Sequence, residues 1–583
     1  MAHTADPLHL LPSEVVLRIL DFTPPASLAA LTRLNRSWHS FIDQDHQDAI
    51  YTAKTSRPHG ARDFTFLEQT QSFAKYYSGV QTWKELCKRQ TLLSRNWTSR
   101  RPVTRESIIQ VGNDPVWRFK PDFKRRIILS TSQAGGLSVT DMDTGELLFH
   151  MLRDVVRPFA HLEYEDGTAV FDREGNAVEV WRIDDSAASR GVLRRITVLP
   201  HERTTRGFQL SYGMLCVVSC DGLGFVYDNM LAGEPRVMTQ MTIEEGATGH
   251  LHQCLDTVAW SQGTKGCHFY DKTSGRCLGV LQPAFCAAGG NTDRFFHIHH
   301  SEGGPDFQLG EGSFAGVASI FPPQNPRQNR TSEISINAGP TPVVDGEFIP
   351  LAEDEWGAGM FDGDLFAGVS RGGRVFICSN WRKALEGSTS FAANTFMIEC
   401  DSDGSTFDLG GWLSVRDRRV MFEIQDRVYV VSLDDENRVI SGDDKSSRPS
   451  FTLASCLSSQ LAVPVSFMSL YDDCIMTTYT TLRHRDRSIF QLAQNRRGVL
   501  PTKVIRILSL APDTAGNNED TILGAGAGNS ESQNRDYQTL LREDMLQFVQ
   551  MLADEAEDVE GDVEAALELI GDVGEPEDLE ALD

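Results

Sequence analysis

Between residues 10 and 42 apolar side chains recur at helical spacing, and polar ones fall between them. Val15, Val16, Ile19 and Leu20 share one face, while Glu14, Arg18 and Asp21 fall elsewhere. Pro12 suits a helix start, where its missing N–H would be unpaired anyway, and Glu14 suits the positive N-terminal end. Thr23-Pro24-Pro25 stops this helix. Periodicity resumes at Leu28, Leu31 and Leu34, and then at Trp38, Phe41 and Ile42. The pattern predicts three short helices whose last apolar stripe is too broad for so small a bundle to cover alone. A further amphipathic helix is predicted from Tyr76 to Trp97, with Trp83, Leu86 or Cys87, and Leu93 near helical spacing.

From residue 108 onward the period changes. Short β-branched and aromatic runs bounded by Gly, Asp and Asn recur every roughly 40 to 55 residues. Two units stand out, Gly136 to Leu147 and Gly266 to Leu278. Each reads strand, Asp, Thr-Gly or Ser-Gly turn, strand. Gly supplies the positive φ a tight hairpin needs, and Asp accepts hydrogen bonds from the backbone that follows it. Weaker copies end at Val180-Trp181-Arg182, Val226-Tyr227-Asp228, Val375-Phe376-Ile377, Val428-Tyr429-Val430 and Val504-Ile505-Arg506-Ile507. The spacing points to a β-propeller of about seven blades, with eight the alternative and another all-β propeller or a sandwich the structural rival. Between Phe269 and Phe376 there is room for one more weakly marked blade, with Pro322 to Arg330 on an exposed loop.

Beyond Pro512 a Gly/Asn/Asp/Ser stretch reads as a flexible linker. It is followed by a helical run in which Leu540, Leu541, Met545, Phe548, Val549 and Leu552 share a face. Residues 554–583 carry many Asp and Glu and no Lys or Arg, so self-repulsion favours an extended or weakly helical tail.

The chain has 583 residues and a net charge of −26, which argues against nucleic acid or anionic membrane as the main ligand. No run approaches the roughly 20 apolar residues a membrane helix needs, and the first residues lack a signal-peptide pattern. Eleven cysteines without a Cys-x-x-Cys pair fit reduced thiols, so a cytoplasmic or nuclear location is expected, where the Asn96 and Asn329 sequons go unused. No constellation for catalysis is legible. His250-Leu251-His252 and His297-Ile298-His299 each put two imidazoles on one strand face without a third ligand, and they read as polar positions on a solvated face. Gly524 to Gly528 lacks the Gly-Lys-Ser/Thr ending of a phosphate loop. No metal, no cofactor and no enzymatic activity are expected.

Leu11-Pro12-Ser13-Glu14, the leucine series to Leu34, and Arg36-Ser37-Trp38 together resemble an F-box. The stretch from Trp83-Lys84 to Asn96-Trp97 resembles the helical linker of F-box proteins that carry a WD40 propeller. The β units resemble divergent WD repeats, with Tyr227-Asp228 and Tyr270-Asp271 at the Trp-Asp position and no evident Gly-His. The fold class is therefore an α+β multidomain chain. It places an F-box at 7–52, a helical linker at 53–107, a WD40-like propeller at 108–511, a flexible linker at 512–534, an amphipathic helix at 535–553 and an acidic tail at 554–583.

The resemblance implies docking on the Skp adaptor of a cullin-RING (SCF-type) ubiquitin ligase through Leu11, Pro12, Val15, Val16, Ile19, Leu20, Leu28, Leu31 and Trp38. It also implies a protein substrate held by the propeller and marked for degradation. Related receptors read phosphorylated segments with arginine clusters, for which Arg371, Arg374, Arg416, Arg418 and Arg419 are available. The alternative is a propeller scaffold that binds the adaptor without delivering substrates. An enzyme with a site at the propeller axis would need convergent titratable groups, and the sequence shows none.

Overall fold

Capping residues and prolines divide the first fifty residues into short helices. In the computed structural model, which describes residues 6–512 apart from 113, 174–175, 186–189, 244–249, 291–292, 301–330, 341–349, 401–411, 425–426, 442–448, 456–464 and 485–498, α1 (Pro7–Leu10) is capped by the Asp6 carboxylate, which accepts from Leu8 N at 3.1 Å. Pro12 precedes α2 (Ser13–Asp21), and Pro25 opens α3 (Pro25–Leu31), so the Pro24-Pro25 pair simply starts the next helix. Asn35 caps α4 (Arg36–Ser40), accepting from Trp38 N at 2.9 Å. The chain continues through a π turn at Phe41–Asp45 into α5 (Gln47–Thr52). The long linker helix α6 (Trp83–Trp97) starts seven residues later than the apolar pattern predicts. Gly79, at φ +74°, turns the chain, and the Thr82 hydroxyl accepts from Glu85 N at 3.2 Å in a Thr-x-x-Glu cap.

The β region forms seven four-stranded blades among the described residues. β1 (Arg105–Ile109) leaves the linker and joins the last blade. Blade 1 is β2 (Val116–Asp122), β3 (Ile127–Ser132), β4 (Leu137–Asp141) and β5 (Leu147–Met151); blade 2 is β6 (Leu162–Glu165), β7 (Thr168–Arg173), β8 (Ala177–Ile183) and β9 (Leu193–Pro200). Blade 3 is β10 (Thr205–Ser211), β11 (Met214–Ser219), β12 (Leu223–Asp228) and β13 (Arg236–Thr242). Blade 4 is β14 (Leu251–Gln253), β15 (Thr257–Ser261), β16 (Cys267–Asp271) and β17 (Cys277–Leu281).

A hairpin of β18 (Phe295–His300) and β19 (Ser332–Ala338) intervenes. Blade 5 then follows as β20 (Trp356–Asp362), β21 (Leu365–Ser370), β22 (Arg374–Cys378) and β23 (Thr395–Glu399). Its last two strands are joined through the short helices α7 (Trp381–Ala384) and α8 (Ser388–Asn394). Blade 6 is β24 (Leu413–Arg416), β25 (Arg419–Ile424), β26 (Arg427–Ser432) and β27 (Ser450–Ala454). Blade 7 is β28 (Met468–Leu470), β29 (Cys474–His484) and β30 (Val499–Ser509), with β1 as its outer strand. The innermost strands touch their neighbours around the ring, and β2 meets β29 and β30 to close it.

Every unit singled out by sequence falls on the third strand of a blade. Asp141 and Asp271 play the same part in two of them: each carboxylate accepts from two backbone amides of its turn, Asp143 and Thr144 in one, Thr273 and Ser274 in the other. Gly145 and Gly275 follow at φ +75° and +69°. Phe119, Phe171, Phe269, Phe366, Phe376 and Phe422, all under 2 % exposed, fill the interior of the ring. Truncating any one costs roughly 3–5 kcal/mol.

The extra blade the sequence allows between Phe269 and Phe376 is instead the β18–β19 hairpin. It lies between two outer strands, β18 parallel to β23 and β19 antiparallel to β27, and fuses blades 5 and 6 into one ten-stranded sheet. Ile298, Ile334 and Ile336 are buried in the same core as Ile377, Ile398 and Val431. Two sheet edges are thereby covered, edges that would otherwise offer unpaired backbone groups to another chain. The loop with Pro322–Arg330, the Gly524–Gly528 run, the amphipathic helix and the acidic tail lie outside the described residues.

Candidate partner-docking surfaces

The apolar residues of α2 divide between two faces. Val16 and Leu20 are 2 % and 1 % exposed and pack with Leu28, Trp38, Ile42, Tyr51, Trp83 and Leu86, so the broad stripe at Trp38 and Ile42 is covered by the linker helix α6. Of the nine positions carried over from the F-box resemblance, Val16, Leu20, Leu28 and Trp38 thus face inward, and Leu31 is half-buried. Leu11, Pro12, Val15 and Ile19 face water. Val15, Ile19 and Phe22 follow one another along one side of α2 at 44 %, 51 % and 75 % exposure, and Leu11 stands just before its start at 37 %. Phe22 was not among the sequence candidates, although it continues the same stripe. An exposed row of this kind leaves apolar area in water that a partner surface would remove from it.

The linker holds this helical end against one face of the propeller. Asp473, fully buried in the β28–β29 turn, accepts from the Ser72 hydroxyl at 2.6 Å, Phe73 N at 2.8 Å and Ala74 N at 3.0 Å. Burial raises its pKa despite these donors. Trp97 Nε1 donates to Asp472 O at 3.1 Å, Asn96 Nδ2 donates to Leu510 O at 2.7 Å, and Trp97 and Leu93 pack with Met421, Leu453 and Leu470. Arg126 and Lys75 both pair with Asp143. The β2–β3, β4–β5, β24–β25 and β28–β29 turns therefore all meet the linker.

The five candidate arginines do separate jobs. Arg374, 2 % exposed, pairs with Asp354 at 2.6 Å, and Arg371 pairs with Glu355 at 3.0 Å. Arg416 bonds Gln71 Oε1 at 2.6 Å and pairs with Asp472, so it belongs to the linker joint. Arg418 pairs with Asp435, and Arg419 lies 4.4 Å over the Trp97 ring. Sequence spacing brings these residues near one another in number, but each already has a partner within the chain.

The axis, by contrast, holds a set of groups the sequence did not reveal. Because the inner strands of blades 1, 6 and 7 end at linker-facing turns, their first residues lie at the opposite mouth of the channel. His161, His250, Trp412 and Phe467 each immediately precede the innermost strand of blade 2, 4, 6 or 7. Arg118 on β2 sits among them, its Cζ 3.8 Å from the Trp412 ring. Further in, Lys120 Nζ and His161 Nε2 bind the two oxygens of Glu163 at 3.1 Å and 2.9 Å. Burial opposes the Glu163 charge, but Lys120 and His161 outweigh it and bring its pKa to about 2.

His250 and His252, expected on a solvated strand face, line this channel half-buried. Gly359 N donates to His250 Nδ1 at 3.4 Å and Phe361 N to His252 Nδ1 at 3.1 Å. Burial depresses their pKa values to about 3 and about 4. Both rings are neutral at physiological pH, with the proton on Nε2. Among the described residues no group of three or more His, Cys, Asp or Glu is placed to hold a metal ion, and no helix is long and apolar enough to cross a membrane.

Residues 8–47 match the family model described as F-box-like. No curated protein matches the chain. Among solved structures, the chain is similar to the computationally designed Ika8 protein at 13 % identity and TM-score 0.35, covering 64 % of this chain and 95 % of that one. It is similar to U3-55K at 8 % identity and TM-score 0.36, covering 70 % and 98 %. A third likeness is to BamB from Moraxella catarrhalis, at 10 % identity and TM-score 0.34, covering 69 % and 100 %. Likenesses of this size decide nothing about function.

Proposed function

Because the chain is an F-box-like domain joined to a β-propeller, we propose that it is the substrate-recognition subunit of an SCF-type ubiquitin ligase. The observation that carries this reading is the solvent-exposed row Leu11, Val15, Ile19 and Phe22 on a helix whose other apolar side is fully used inside the chain. The Skp adaptor would cover that row, and through it a cullin would be recruited. The propeller would hold the target protein. The chain adds no bond-making chemistry in this reading. Its linker fixes the distance between target and conjugating enzyme, which raises the effective concentration of a target lysine. Arg89, bonded to the carbonyls of Tyr76 and Ser78 at 2.5 Å and 3.0 Å, helps keep the linker turn rigid. The described cysteines are all free, in keeping with work in the cytosol or nucleus.

The test is co-purification of the full chain with the Skp adaptor and a cullin, beside the Val15→Asp/Ile19→Asp variant. Both side chains sit in water, so the variant should keep its thermal midpoint and lose both partners. Retained adaptor binding would refute the docking assignment. Adaptor binding without ubiquitin transfer to any bound protein would leave only a scaffold.

A further inference from the structure

Arg118 is 9 % exposed, stacked on Trp412, and its Nε meets no acceptor among the described residues. The carboxylates whose charge it feels are Glu163 and Asp172. Both are committed elsewhere: Glu163 to Lys120 and His161, Asp172 to Arg157 and the His161 amide. A desolvated guanidinium N–H without an acceptor is expensive, and such a group persists where a ligand supplies what the fold does not.

The turn leading into blade 2 holds a second oddity. Phe159 is two residues before His161 on the mouth side of the ring, 51 % exposed, and held at φ +55°, a conformation that strains a bulky side chain. Its ring meets Trp117, the neighbour of Arg118, edge-on at 5.2 Å.

We propose that this mouth binds a linear segment of the target protein, in which an Asp or Glu side chain enters the channel to pair with Arg118 while an adjacent apolar side chain lies on Phe159 and Trp117. The proposal rests on the reading of the propeller as the target-binding part and names the chemistry of its site. A carboxylate fits better than a phosphate. Lys120, two residues along β2, is taken by Glu163, and His250 offers a neutral N–H, so a dianion would leave one charge uncompensated beside Glu163. An Arg–carboxylate pair closed off from water by Trp412 is a strong, charge-assisted contact.

The experiment uses the full chain bound to the Skp adaptor and an arrayed peptide library with a fixed central Phe-Glu pair and randomised flanks. Phe-Gln and Phe-phosphoserine libraries serve as counterparts. The Phe-Glu set should be captured at least about tenfold better than the Phe-Gln set, the scale of one lost charge-assisted hydrogen bond. Arg118→Met should erase that preference. Phe159→Gly relieves the left-handed strain, so it should lower capture about tenfold while leaving the thermal midpoint unchanged or higher. That variant keeps the proposal open to refutation even if Arg118→Met folds poorly. Equal capture of the Glu and Gln sets, a preference that survives Arg118→Met, stronger capture of phosphoserine, or no capture at all would each overturn it. Adaptor binding by the α2 face is read separately, so loss of the ligase reading leaves a distinct signature from loss of this site.

Discussion

Replacing Asp473 with alanine probes the joint that ties the helical end to the ring. The carboxylate is fully buried and accepts from Ser72, Phe73 and Ala74 at 2.6–3.0 Å. Its removal orphans two backbone amides and a hydroxyl. Each orphaned buried donor costs about 1–3 kcal/mol, and relief from holding a desolvated carboxylate offsets part of the sum, leaving a net loss of roughly 3 kcal/mol. Asp473→Asn keeps one acceptor oxygen for Ser72 and Ala74 but turns its NH2 on Phe73 N–H, so it should lose about 1–2 kcal/mol, less than alanine. Trp97, whose indole nitrogen bonds Asp472 O, supplies a fluorescence reporter at the joint. Urea titration monitored at Trp97, together with limited proteolysis of residues 70–80, should show the alanine variant opening there first while the blades stay protected. An alanine variant within 1 kcal/mol of the parent, or an asparagine variant as damaged as the alanine one, would refute the reasoning. On the proposed function, ubiquitin transfer to a bound target should slow in the alanine variant even with adaptor binding intact, because the spacing that reading depends on is no longer fixed.

Acid should weaken the ring through its axis. His250 and His252 are held neutral with pKa values of about 3 and about 4, below the unfolded value of about 6.5. The unfolded chain therefore takes up protons first. The stabilisation is complete above pH 6.5 and falls by at most about 1.4 kcal/mol per pH unit for each histidine as pH drops toward 4. Thermal midpoints measured from pH 7.5 to 5 should decline, and His250→Gln/His252→Gln should flatten that decline; an unchanged slope in the variant rejects the assignment. Ile336→Ala, at a position 2 % exposed in the hairpin that joins blades 5 and 6, should cost about 2–4 kcal/mol. Hydrogen exchange should then rise in β23 and β27 and not in β3, whereas a uniform rise would contradict the local role of the hairpin.

What could be read from sequence was whatever is encoded within one short segment. The α2 periodicity, the Pro12 start and the Asp-x-x-Thr/Ser-Gly turns are local, and each third strand carried its own mark from Val139 to Ile507. The α6 start was misplaced because Tyr76 and Val80 are apolar for another reason: Tyr76 packs against the propeller with Leu93 and Trp97, and Val80 packs under the F-box-like helices. The β18–β19 hairpin was hidden because its strands look like blade strands and only their partners, β23 and β27, tell them apart. Arg118, His161, His250 and Trp412 are far apart in sequence and meet only because each blade delivers one residue to the same axis. Inside α2, spacing alone cannot separate Val15 from Val16, since both belong to a broad apolar arc and only the helices packed around it decide which is buried.

The strand that closes the ring has a consequence in time. Arg105–Ile109 is made early, yet its partner β30 is the last made of the described strands, and the Glu106–Arg506 ion pair across that seam spans 400 residues of chain. At roughly 5–20 residues per second, the first strand waits on the order of 20–80 s on the ribosome for its mate. Through that interval the helical head is complete and its outer face is already on offer, while the ring is still an open arc of unfinished blades. A nascent chain thus finishes its helical head while the ring is still open, and a chain truncated between α6 and residue 499 would carry that head without a finished ring behind it.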